Sequence, residues 1–259
     1  MALLPAIAPL AGGALLGAFG WRANFVVMTV FGVMATLLTA AKLSETLRHP
    51  DPQAANPTRI LSNFIRMLQH PQYLGCALAG ACAFCGLFAF ISGSSFVLIG
   101  VFGVSEQNFG FYFGAPVIGY MIGTQIGGRM TRNYGITTIL SVGTACLALA
   151  GALIAALAII RVDHPIAVVA PMAFYMIAVG LVLPQTLAGA LTPFPDRAGT
   201  ASSLLGFIQM SLGAVVGALV AHLHDGTQVP MAAAIGVMGG LSFLMFQFVV
   251  KPAFRKTAA

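Results

Sequence analysis

The sequence predicts an all-α, polytopic membrane protein with about eight transmembrane helices. Composition predicts it first. Of the 259 residues, 59% are hydrophobic and only 7% are charged, against about a quarter charged in an ordinary soluble domain. Mean hydropathy is +0.95. Too few charges remain to cover a water-facing surface. Run length is the second observation. Apolar stretches of roughly the 20 residues that cross a bilayer as a helix recur near 2–19, 23–41, 72–98, 109–128, 136–160, 165–190, 199–221 and 230–250. Charge placement is the third. Lys42, Arg48, Arg59, Arg66, Arg129, Arg132, Arg197, Lys251, Arg255 and Lys256 fall in alternate gaps and at the C-terminus, whereas the other gaps hold only Arg22 and Arg161. That asymmetry predicts a cytoplasmic C-terminus. It also accounts for the net charge of +6 without a nucleic-acid partner.

The gaps are short except one, which divides the chain into residues 1–41, a linker at 42–71, a six-span unit at 72–250 and a tail at 251–259. The linker opens with a Pro/Asp/Asn-rich stretch, Arg48 to Pro57. It then becomes amphipathic: Ile60, Leu61, Phe64, Ile65 and Leu68 share one helical face, and Arg59, Ser62, Asn63, Arg66 and Gln69 share the other. This predicts a helix lying on the cytoplasmic leaflet.

The first run carries Pro9, Gly12, Gly13 and Gly17 and ends Phe19-Gly20-Trp21-Arg22. A proline before a Gly pair, with Gly13 and Gly17 four apart, makes a bent helix with a smooth packing face. In the third run, Phe84, Phe88, Phe90 and Phe96 form an aromatic series that Ser92-Gly93-Ser94-Ser95 is expected to interrupt. The four cysteines, Cys82 and Cys85 included, lie in apolar runs without His or acidic companions and read as small packing residues. The fourth run has glycines every four residues, Gly119, Gly123 and Gly127, so one of its faces permits a close helix crossing. It ends at Arg129 and Arg132, a pair suited to helix C-terminal carbonyls or to a carboxylate across the bundle; anchoring at the membrane surface remains the open alternative.

Leu181 to His222 is a helical hairpin. Two apolar runs are joined by Thr192-Pro193-Phe194-Pro195-Asp196-Arg197, whose prolines forbid a continuous helix. Gly206, Gly213 and Gly217 follow on the second limb and are expected to let another helix come close. Gln185 and Gln209 sit inside these runs and Gln125 inside the fourth. An amide at membrane depth costs several kcal/mol unless it is partnered or faces water, so these three, with Phe84 and Phe88, are the candidate lining of a substrate cavity. Tyr112, Tyr120 and Tyr175 are weaker candidates.

Two blocks resemble a known family. The Ala-Pro-x-x-Gly-Gly pattern with Gly-Trp-Arg is similar to the antiporter motif in the fifth helix of major facilitator drug exporters. Leu183-Pro-Gln and Pro193-Phe-Pro-Asp-Arg-Ala-Gly-Thr-Ala-Ser-Ser-Leu-Leu-Gly206 resemble the Bcr/CflA drug-resistance subfamily. Ser44-Glu45-Thr46-Leu47 departs from its Pro-Glu-Thr-Leu, and Gly128 stands where the superfamily's cytoplasmic gating motif has an Asp. The resemblance spans the fifth to twelfth helices of a twelve-helix fold. It implies an N-terminally truncated major facilitator fold, a cavity lined by its seventh, eighth, tenth and eleventh helices, and gate candidates Arg129, Arg132, Asp196 and Arg197. It implies multidrug export of small apolar antibacterials across a bacterial inner membrane by proton antiport, with the proton gradient as energy source and no cofactor. Drug, protons and lipid are the expected partners, with the oligomeric state open. It also places the coupling carboxylates in the first helix. None of the six acids here lies in an apolar run, so the chain is expected to be incomplete and uncoupled. A major facilitator exporter of a sugar or amino acid is the alternative. An enzyme would need clustered reactive groups; only His222, His224 and Asp225 stand close together, in a loop, and neither a catalytic nor a metal site is expected.

Overall fold

The computed structural model describes residues 11–13, 15, 17–43 and 56–258. Pro9, most of the expected first span and the linker segment 44–55 lie outside the described residues. Those described are helical throughout, apart from short turns. In chain order they form α1 (Trp21–Lys42), α2 (Pro57–Gln69), α3 (Pro71–Ser95), α4 (Glu106–Ile159), α5 (Pro165–Leu191), a 3₁₀ turn (Pro195–Arg197), α6 (Ala198–His222), α7 (Val229–Met245) and α8 (Lys251–Ala258). Both α3 and α7 end in a π-type turn, Phe96–Val101 and Phe246–Val250.

Six helices are long and apolar enough to cross a membrane. One of them, α4, is two spans in one element. At Gly135 the backbone turns to φ 77°, ψ 162°, a region that a residue without a Cβ enters at no steric cost. The arms on either side, 106–134 and 136–159, each exceed a bilayer crossing. Seven spans are therefore present among the described residues.

α3 and α5 form the centre. In each, 61% of the most apolar window is buried, against 0% in α1. α3 packs chiefly on α6 and α7, and α4 packs on α5 with its first arm and on α7 with its second. Small residues make these contacts. A Cβ on Gly119 would meet the Ala173 carbonyl, one on Gly123 the Ile177 carbonyl, and one on Gly127 would stand 3.3 Å from Leu181 Cδ2. The three contacts advance by four residues on both helices, so the first arm and α5 run parallel in constant register. A second seam was not evident in the sequence pattern: Gly151 lies against the Ile235 carbonyl and Gly239 against that of Leu147. Dispersion falls off within about 1 Å of extra separation, and in lipid, where apolar burial drives little association, such close contact is the main attraction between helices.

Few hydrogen bonds join the helices. Tyr73 donates its hydroxyl to the Ala201 carbonyl at 2.7 Å, Gln72 Nε2 to Gly189 at 2.9 Å, and Ser242 Oγ to Ala79 at 2.8 Å. At the opposite end, Gln228 Nε2 donates to Val162 at 3.1 Å. All four cysteines are free thiols.

Three local expectations differ from the structure. The helix does not break at Ser92–Ser95: α3 continues through them, with Ser94 Oγ turned back on the Ile91 carbonyl at 3.4 Å and Gly93 lying under Met231. It widens into the π-type turn only at Phe96. Gly206 has no neighbour within 4 Å of a would-be Cβ, so only Gly213 and Gly217 make the close approach on α6. The apolar face of α2 is split. Ile60, Phe64 and Met67 turn inward while Leu61, Ile65 and Leu68 stay exposed, because the helix leans on the ends of α3 and α6.

Candidate functional site

Where α3 and the first arm of α4 diverge above α5, they leave an apolar groove of about 300 Å³. α3 contributes Phe84, Leu87, Phe90 and Ile91; α4 contributes Phe113, Pro116, Val117 and Tyr120; Met176 and Leu183 of α5 form the floor. The divergence follows from the packing. α3 is drawn towards α6 by Gly213 and Gly217, whose missing side chains leave room for Phe84 and Phe88. The first arm of α4 is held on α5 by its glycine ladder. Nothing small joins the two walls.

Aromatic contacts shape the groove. Phe90 and Phe113 stack across it with centroids 5.7 Å apart and planes at 21°. Phe113 is also 5.7 Å from Phe109. Phe84 and Phe88 are 5.8 Å apart on α3, but only Phe84 reaches the groove; Phe88 turns onto Gly213 and Gly217. Such walls bind by shape and dispersion and make few obligatory hydrogen bonds. No charged side chain lines the groove.

The three amides do not converge. Gln125 is exposed, Gln185 is buried on α5, and Gln209 is half-buried on α6. Gln209 Nε2 would stand 3.3 Å from a Cβ on Gly80, beside the buried Thr186 hydroxyl at 2.6 Å, so α3, α5 and α6 meet there at a small polar crossing. Gln185 is 4% exposed and shares a helical face with Ala178, Val182 and Gly189. That face packs on Gly143 and on the Cys76 and Phe254 side chains, away from Met176 and Leu183. Of the tyrosines, Tyr120 lines the groove, whereas Tyr175 is fully buried between Gly86 and Gly239 with its hydroxyl unpartnered. Tyr120, Phe113 and Leu183 did not stand out in the sequence as a set; only their period along α4 and α5, read against a known packing, would have assembled them.

The gate candidates share one end of the bundle. Arg129 and Arg132 follow Gly127 on the first arm, and the turn with Asp196 and Arg197 follows the parallel α5. All four are exposed. Arg197 Nη1 donates to Asn63 Oδ1 on α2 at 2.6 Å; Arg129, Arg132 and Asp196 have no hydrogen-bond or ion-pair partner among the described residues. The same end is tied by Phe194, whose ring packs on His70 and Tyr73 with centroids 5.5 and 5.8 Å apart. Of the antiporter-motif residues, Gly12 accepts a hydrogen bond from Asn24 Nδ2 at 3.4 Å, and among the described residues nothing lies within 4 Å of a Cβ on Gly13 or Gly17. At the other end, Asp225 accepts from Thr227 N at 3.0 Å and from its hydroxyl at 2.6 Å. No group of three or more His, Cys, Asp or Glu able to hold a metal occurs among the described residues.

The family model for the Major Facilitator Superfamily matches residues 1–218. The chain belongs to that superfamily. Several of its relatives within it are named for drug resistance. It is 29% identical to a bicyclomycin resistance protein homolog of Haemophilus influenzae, over 95% of this chain and 62% of that one. It is 27% identical to the multidrug resistance protein D of Escherichia coli, over 93% and 59%. An uncharacterised transporter of the same superfamily from Bacillus subtilis is 32% identical over 93% and 61%. The chain thus spans about three fifths of the length of the curated relatives it matches. The protein is a multi-pass membrane member of a transporter superfamily, and the resemblance read from its hinge block extends to nearly the whole chain.

Proposed function

We propose that the transporter to which these residues belong exports small, mostly apolar antibacterials across a bacterial inner membrane by proton antiport, with its C-terminus in the cytoplasm. The observation that carries this reading is the uncharged aromatic groove between α3, the first arm of α4 and α5. A pocket for a sugar or an amino acid would present several hydrogen-bonding groups to replace lost water; among the lining residues of this one only Tyr120 carries a hydroxyl. Relatives named for drug resistance point the same way. Export would follow alternating access, with two helical bundles rocking about a midplane site.

Proton coupling is the part this chain does not supply. A coupling group must titrate at membrane depth, where the surroundings can move its pKa. Glu106 starts α4, and Asp163, Asp196 and Asp225 lie in turns; Glu45 and Asp51 fall outside the described residues. We therefore propose that the 259 residues hold drug without coupling it to protons. The test is expression in a bacterial host stripped of its own pumps, beside the same reading frame extended upstream. Dye efflux sensitive to a protonophore from the extended form alone is expected. Efflux from the short form alone would contradict the proposal, and export of labelled sugars or amino acids in place of dye would favour a metabolite carrier.

A further inference from the structure

We infer that the Tyr120 hydroxyl is the selectivity group of the groove, and that it picks out uncharged, planar, bicyclic-sized aromatics bearing one hydrogen-bond acceptor. The inference rests on the reading of the groove as the drug site.

Four observations support it. Tyr120 carries the only polar side-chain group among the residues lining the groove. Its hydroxyl makes no hydrogen bond among the described residues, although Tyr73, the buried tyrosine nearest the basic end, has a partner at 2.7 Å. The Tyr120 backbone is fixed. It lies between Gly119 and Gly123, both in contact with α5 backbone, and its own carbonyl would stand 2.6 Å from a Cβ on Gly180. The ring thus hangs from a fixed backbone, so only its side-chain torsions are restricted when a ligand pairs with the hydroxyl. The volume of about 300 Å³ is at the lower end for ligand pockets, which suits a fused pair of rings between Phe84 and the Phe90–Phe113 stack.

The same walls exclude other classes. A carboxylate or ammonium entering the groove would leave water and meet no opposite charge, and an unpaired buried ion is heavily disfavoured. A ligand with several donors and acceptors would satisfy one of them and desolvate the rest. A pure hydrocarbon would fit but leave the Tyr120 hydroxyl dry and unpaired. The preferred ligand is neutral, flat and has one carbonyl-type acceptor.

The experiment compares three probes of similar shape on the purified 259-residue chain in nanodiscs: 2-acetonaphthone, 2-ethylnaphthalene and 2-naphthoate. Affinities are measured by equilibrium dialysis with radiolabelled probe and corrected with empty nanodiscs. The ketone is expected to bind about 3- to 10-fold more tightly than the hydrocarbon, the range of one net hydrogen bond, and the carboxylate most weakly. In Tyr120→Phe the ketone-to-hydrocarbon ratio should fall to about one. Leu183→Trp, which fills the floor, should abolish binding of both; Leu183→Phe serves if the larger residue prevents folding, and melting of each variant is followed in parallel. A ketone preference that persists in Tyr120→Phe overturns the assignment of Tyr120 alone. Binding that survives both Leu183 variants, or wild-type chain that binds none of the probes, overturns the groove as the drug site and the inference with it.

Discussion

A methyl group at Gly123 has nowhere to go. In Gly123→Ala the new carbon is driven into the Ile177 carbonyl of α5, well inside the 3.0 Å that real Cβ contacts respect. The obstacle is backbone, not the tip of a flexible side chain, so the two helices must part by about 1 Å. At that gap, apolar contacts forfeit a quarter to a half of their attraction. The loss reaches the neighbouring contacts of Gly119 with Ala173, Gly127 with Leu181 and Gly180 with Tyr120. Overpacking a close-packed site costs about 1–3 kcal/mol, and a backbone obstacle puts this one at about 2–3 kcal/mol. Alanine returns up to about 1 kcal/mol of helix propensity, so the net loss is about 1–2 kcal/mol, or roughly 2–8 °C in melting temperature for a chain of this size. The buried thiols of Cys76 and Cys85 report unfolding through a thiol-reactive dye during a thermal ramp in detergent. Gly128→Ala is the control, since a Cβ there has no neighbour within 4 Å, and it should melt at or above wild type. If Gly123→Ala melts with Gly128→Ala, the ladder is not what holds α4 on α5.

Three other predictions follow from particular contacts. Tyr73→Phe leaves the Ala201 carbonyl without its buried donor and should cost about 1–2 kcal/mol, whereas Tyr175→Phe removes a hydroxyl that has no partner and should be neutral or stabilising; equal losses in the same thermal assay would contradict the hydrogen-bond assignments. A double-mutant cycle on Asn63→Ala and Arg197→Ala should give a coupling of about 0.5–1 kcal/mol, small because the pair is exposed, and strict additivity would mean that α2 is not tied to the hinge through this bond. The Asp225 carboxyl is held below its ordinary range, first by the Thr227 hydroxyl and then by the Thr227 N–H. A lowered folded pKa means that the turn gains stability above the ordinary carboxylate pKa and loses it as pH falls through the lowered value. The protection of the Thr227 amide, measured against its intrinsic exchange rate at each pH, should therefore fall on acidification, and Asp225→Asn should remove that dependence.

How much of this was legible in the sequence depends on whether a feature is periodic or tertiary. Gly119, Gly123 and Gly127 announce a close crossing by their spacing alone, and the structure supplies only the partner, α5. The hinge at Pro193 and Pro195 is equally local: two prolines one residue apart stop the helix beside Asp196 and Arg197, whereas Pro116, Pro171 and Pro184 lie singly inside α4 and α5. The groove is different. Phe113, Val117 and Tyr120 look like any apolar stripe until α3 is drawn aside by Gly213 and Gly217, and that displacement belongs to three helices at once. Tyr120 and Tyr175 are alike in sequence context; one is half-buried in the wall of the groove and the other is wedged between two glycines. The amides Gln125, Gln185 and Gln209 attract notice through their cost at membrane depth, yet that cost says nothing of which way each points, and they point apart. The inner and outer halves of α2's apolar face are inseparable by periodicity, because only the ends of α3 and α6 decide which residues are covered.

We propose that these residues carry a drug-binding wall without a proton-coupling group. Reconstituting the 259-residue chain in proteoliposomes, imposing a pH gradient of either sign and following 2-acetonaphthone tests both halves together. Saturable binding with no gradient-driven accumulation is the predicted result; uphill movement of the probe that collapses with a protonophore would contradict the account.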